Sequence, residues 1–126
     1  MKITIETIDH SKQRYETAGD WAIDHEKQEL KIYVSNMGNW RYEALVGVHE
    51  LCEVLLCLER HISQESVDAF DMAYEEDRKE GDNNEPGDDA MAPYRREHFF
   101  ATNVERMLCA EFDIVWKDYD QAVNSL

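Results

Sequence analysis

Residues 44–58 read ALVGVHELCEVLLCL. Apart from Gly47, His49, Glu50 and Glu53, every residue in the stretch is Ala, Val, Leu or Cys. A helix apolar on nearly all sides is buried. Charge in such a place is costly unless it is paired or holds a metal. On a helical wheel His49 and Glu53 fall within about 40° of each other, one turn apart, and Glu50 stands about 100° from His49. The first two are placed to grip one ion together. Glu50 is placed to reach a ligand of that ion without binding it.

The chain around this helix has 126 residues, 43% hydrophobic and 33% charged, which predicts one soluble globular domain, 1–126. No apolar run reaches the roughly 18 residues of a membrane span. The opening MKITIETIDH alternates apolar and polar and has no signal-peptide core, so a cytoplasmic location is expected. The net charge of −15 has the wrong sign for a phosphate backbone and argues against direct nucleic-acid binding. A cation or a basic protein surface suits it better. Cys52, Cys57 and Cys109 lie in apolar helical patterns without paired spacing, which predicts reduced thiols.

KITIETI at 2–8 has the period of a strand. WAID and LKIYV flank the polar turn HEKQ and predict a β-hairpin. Residues 1–36 are therefore expected to form a small antiparallel sheet of about three strands. His10 and His25 fall at its turns and are expected on the surface. Helices are expected over 40–61, capped by Asn39, over 64–78, capped by Ser63, and over 93–112, with Pro93 in the first turn. His61 falls at the end of the first, where a cation suits the helix dipole. Residues 75–90 carry eight acids and two bases with Gly81, Pro86 and Gly87 among them. A mobile acidic loop over 79–92, with nothing in it packed, is the expectation. Val115 and Trp116 are expected to dock back on the core. The fold class is α+β, the sheet packed against three helices.

A metal on His49 and Glu53 needs a third ligand, and the third helix offers one. On its wheel Thr102, Glu105 and Cys109 lie within about 40° of His98. His49, Glu53 and His98 make a two-His, one-carboxylate set with room for a water. Zinc would make that water acidic, and Glu50 could take its proton. Glu105 and Asp71 are expected as outer partners or additional ligands.

HELCE resembles the HExxH helix of the zincin metallopeptidases. His49 matches the first zinc ligand and Glu50 the general base, while Glu53 stands where the second His would be. The resemblance implies a zincin-like arrangement over about residues 20–60 and a metal-dependent hydrolase. Glu50-x-x-Glu53 followed by Asp68-x-x-Asp71 resembles the carboxylate motif of the all-α nucleotide pyrophosphohydrolases. That second likeness implies Mg²⁺ held by oxygen ligands against nucleotide phosphates. The order HELCEVLLC, VDAFD, PYRREHFFATNVERML is similar to a family of small uncharacterised phage and bacterial proteins. It covers about residues 43–116 and implies that the three helices form one unit. A non-catalytic acidic module that binds a protein partner is a third class. Metal content and metal identity separate the three.

Overall fold

The computed structural model describes residues 1–126. Its strands are β1 (Lys2–Ile8), β2 (Gly19–Asp24) and β3 (Glu29–Ser35). Its helices are α1 (Trp40–Glu59), α2 (Gln64–Glu76), α3 (Arg95–Glu111) and α4 (Trp116–Asn124). The class is α+β. No helix is long and apolar enough to cross a membrane.

The hairpin forms as its sequence predicts: β2 and β3 are antiparallel, with Trp21 opposite Ile32. The sheet as a whole is mixed, not antiparallel. Its order is β1-β3-β2, and β1 runs parallel to β3 with Ile5 opposite Ile32. The physical reason lies in residues 9–18, which wrap over the end of β3 instead of turning back tightly. Ser35 is fully buried there and is bonded by His10 Nδ1 at 2.8 Å and Gln13 Nε2 at 3.1 Å. Its N–H donates to Ala18 O. His10 is thus half-buried and engaged, contrary to its expected surface role, whereas His25 is exposed.

Leu30, Ile32 and Val34 of β3 are fully or almost fully buried, beneath Leu45, Val54 and Cys57 of α1. Burying each such aliphatic side chain contributes about 1.5–3 kcal/mol. Asn39 caps α1 by accepting from Arg41 N–H, and Ser63 caps α2 by accepting from Ser66 N–H. His61 closes α1 in the left-handed region, φ 57°, a conformation usually given to glycine. The three cysteines are free thiols.

Three further expectations need correction. Pro93 lies outside α3, which begins at Arg95 after Tyr94, and Tyr94 is buried against the core. A fourth helix follows, and its Trp116, Tyr119 and Val123 face the core, whereas Val115, expected to dock beside Trp116, stays 62% exposed as the residue just ahead of the helix. The 79–92 segment packs in part: Pro86–Asp88 forms a 3-10 turn, and Gly87 and Ala92 are buried.

Candidate metal centre

The third and fourth turns of α1 carry His49 and Glu53 toward the first turn of α3, which carries His98. All three are buried. His49 Nε2 lies 3.3 Å from Glu53 Oε2, His98 Nδ1 lies 3.1 Å from the same oxygen, and the two ring nitrogens are 3.2 Å apart. Ligand atoms about 2.0–2.1 Å from a tetrahedral zinc stand about 3.3 Å from one another. The triangle therefore has the size of one face of a zinc tetrahedron.

Each corner is held from outside. Glu105 Oε1 meets His49 Nδ1 at 2.8 Å, and Tyr119 donates to the other oxygen of Glu105. Asp88 and Glu85 meet His98 Nε2 at 3.1 and 3.0 Å. Trp21 Nε1 donates to Glu53 Oε1 at 3.2 Å, which leaves Oε2 for the triangle. A metal-binding histidine characteristically gives its second N–H to a carboxylate in this way. With those outer N–H groups donated, both inner nitrogens aim lone pairs at a carboxylate oxygen. Three convergent acceptors require a cation, or a proton on each inner nitrogen.

Without an ion the protons win. Burial alone would lower the His49 pKa, but Glu105 and Glu53 outweigh it and raise it well above the ordinary value. For His98, burial is likewise outweighed by Asp88, Glu53 and Glu85, and the pKa rises to about 12. Both imidazoles are then cations pinned by carboxylates. Metal binding must displace those protons. We predict release of close to two protons per zinc around neutral pH, and affinity that climbs steeply as pH rises. Calorimetry in buffers of different ionisation enthalpy measures the number; a value near zero contradicts the ligand set.

Gly87 is where the acidic segment closes on His98. A Cβ at position 87 would stand 2.4 Å from His98 Cγ and 2.5 Å from Nδ1. The backbone can lie on the imidazole only because the residue is glycine. Gly87→Ala must therefore shift either the segment or the ring. We predict roughly 10–100-fold weaker zinc binding, the loss typical of a disturbed outer partner. Zinc titration against a competing chelator reads this, and unchanged affinity would mean that the segment does not position His98.

Glu50 opens beside the triangle into a cleft of about 350 Å³, which Tyr15, Asp71, Glu85, Tyr94 and Trp116 also line. Its carboxylate is not seen to bond any protein group, unlike those of Glu53, Glu105 and Asp71. Gly19 lies directly beneath it, where a Cβ would come within 2.6 Å of Glu50 Cγ. Desolvation, with the nearby Glu53 charge, raises the Glu50 pKa well above the usual carboxylate range. A carboxylate that faces the cleft without a protein partner is placed to exchange a proton with a water held there.

Asp71 is outside the triangle. Tyr94 and Tyr15 both donate to it, Tyr15 at 3.0 Å. Burial pushes its pKa up to about 7. Asp68 is engaged by Arg14 at 3.0 and 3.1 Å, and Arg14 also grips Asp20. No three of the carboxylates Glu50, Glu53, Asp68 and Asp71 gather as a metal-ligand group, and three of them, Glu53, Asp68 and Asp71, are held by protein groups.

Sequence reasoning named His49, Glu53, His98, Glu50 and Glu105, and also Asp71, which bonds Tyr15 and Tyr94 and not a corner of the triangle. It missed Trp21, Asp88, Glu85, Gly87, Tyr119 and the tyrosine pair on Asp71. Tyr119 had a signal, since Trp116, Tyr119 and Val123 repeat at helical spacing. Pro-Gly-Asp at 86–88 was a turn signal, but nothing local linked it to His98. Comparison with family models, curated proteins and solved structures finds no match to this chain.

Proposed function

We propose that this chain is a zinc-dependent hydrolase in which His49, Glu53 and His98 hold the ion and Glu50 is the general base. The observation that carries the reading is the triangle itself: three buried ligand atoms within 3.1–3.3 Å of one another, with both imidazoles backed by carboxylates. A merely hydrogen-bonded His–Glu pair would not require a third acceptor at the same spacing.

Bound there, zinc supplies Lewis acidity that brings the pKa of water to about 7 and polarises a substrate carbonyl or phosphoryl oxygen. The chain's own residues do the rest. Trp21 fixes Glu53 so that one oxygen only faces the ion site. Glu105 and Asp88 fix the ring planes of His49 and His98. Glu50 accepts the proton of the attacking water and can return it to the leaving group. The apolar surfaces of Trp21, Val46 and Val67 along the cleft limit the water around this exchange. The mixture of two imidazoles and one carboxylate favours zinc over Mg²⁺, which prefers oxygen ligands alone.

Elemental analysis of protein purified without chelators tests the proposal. Zinc near one equivalent, with a raised melting temperature on reconstitution, is expected. Protein that takes up no zinc and shows no shift with zinc, manganese or magnesium would end the metal reading. A bound zinc with no turnover across ester, amide and phosphoester substrates would leave the metal but end the hydrolase.

A further inference from the structure

The outer edge of β1 has no partner. The register fixes which backbone groups face it. Lys2 N–H donates to Gln28 O, and Ile8 O accepts from Asn36 N–H, so the even-numbered residues bond β3. The N–H and C=O groups of Ile3, Ile5 and Thr7 therefore point away from the sheet. No side chain of the protein caps that edge. The other edge is different: on β2, Asp20 takes Trp21 N–H and Gln64 takes Ile23 N–H. Natural proteins cover or charge such edges, or pair them.

We propose that β1 is the contact between two copies of this chain, pairing antiparallel with its counterpart about a two-fold axis at Thr4. The sequence Lys2-Ile3-Thr4-Ile5-Glu6 is self-complementary about that point. Lys2 falls opposite the partner copy's residue 6 and Glu6 opposite residue 2, so both charges are matched. Ile3 falls opposite Ile5, and Thr4 meets itself. Opposite charges and β-branched pairs stabilise directly facing positions. An axis at Ile5 would place Lys2 against Ile8 and Glu6 against Thr4, with neither charge matched.

The backbone agrees with this register. Ile3 and Ile5 carry the outward groups, so they form the hydrogen-bonded pairs on either side of the axis, and Thr4 forms the close, non-bonded pair. The side chains agree too. Ile5 packs on Gly47, where a Cβ would come within 3.1 Å of Ile5 Cγ2. Yet Ile3 and Ile5 remain 46% and 48% exposed, because the sheet stops beside them. A partner strand continues the same apolar face and covers them. The result is one sheet ordered β2-β3-β1-β1-β3-β2 with both α1 helices on one side. Such an isologous contact closes on itself and forms no fibre.

Sedimentation equilibrium and light scattering on the full chain test this. Twice the chain mass, dissociating on dilution, is expected. Lys2→Glu turns both charge pairs repulsive and should weaken the dimer roughly tenfold or more. Lys2→Glu combined with Glu6→Lys should restore it, which a folding defect would not do. Ile3→Pro removes an outward N–H that β3 does not use and should leave a folded monomer. Under mild oxidation Thr4→Cys should cross-link two chains, since non-bonded antiparallel pairs lie about 4.5 Å apart at Cα, within disulfide reach. A monomeric mass up to millimolar concentration would overturn the proposal. So would a dimer that survives both Lys2→Glu and Ile3→Pro, because it would use another surface.

Discussion

In the Glu50→Gln variant, zinc is expected to stay at the wild-type stoichiometry and turnover of any substrate hydrolysed by the wild type to fall by about 10²–10⁴. The change preserves shape and removes only the ability to accept a proton. Glu50 is not among the three atoms of the triangle, so affinity for the ion should change little. Its carboxylate is also without a protein partner, so no structural bond is lost. Folding stability should hold or rise, because a desolvated carboxylate is replaced by a neutral amide. Steady-state kinetics and zinc content on one preparation decide the matter. Retained turnover would remove Glu50 from the mechanism, and lost zinc would make it a ligand instead.

His98→Ala is expected to abolish stoichiometric zinc and to lower the melting temperature of the metal-free protein as well. The first effect exceeds the roughly 10–100-fold that loss of an outer partner alone costs. The second arises because Glu53, a residue only 5% exposed, loses a bonded cation inside the protein. Breaking such a buried pair costs about 3–5 kcal/mol. The metal-free stability has a pH signature with a definite sign. The His98 pKa is raised, so its contribution is complete below the ordinary value of 6.5 and is lost as pH climbs toward about 12. Wild-type metal-free protein should thus lose stability above pH 6.5, and His98→Ala should lose less over that window. Zinc reverses the trend in the wild type alone, since it binds the deprotonated rings. Glu105→Gln, which keeps all three ligands, is a milder companion should His98→Ala fail to fold. It should weaken zinc by roughly 10–100-fold without abolishing it. Equal zinc-induced shifts in wild type and His98→Ala would exclude His98 as a ligand.

Much of the site was legible because helical spacing is local. The four-residue step from His49 to Glu53 and the seven-residue step from His98 to Glu105 each put two polar groups on one stripe. That Glu105 would back His49 across the helix pair, and not His98 on its own helix, depended on how α1 and α3 cross. The partners that came from loops were hidden for the same reason. Asp88 and Glu85 sit in a segment whose composition reads as solvated, and only the glycine at 87 lets that segment lie on the imidazole. Trp21 looked like a strand residue of the hairpin, which it is. Its indole reaches Glu53 because β2 passes beneath α1.

The sequence by itself determined the elements whose signals are short-range: the β2–β3 hairpin, the caps at Asn39 and Ser63, the buried α1, and the polar stripes of α1 and α3. Tertiary structure alone decided where β1 would pair, since one strand's alternation is the same in a parallel or an antiparallel neighbour. It also decided that three ligand atoms from two helices would meet within 3.3 Å. Periodicity fixes which face a side chain occupies. Distance across the core is fixed only when the sheet, the helices and the Pro86–Asp88 turn have packed around it.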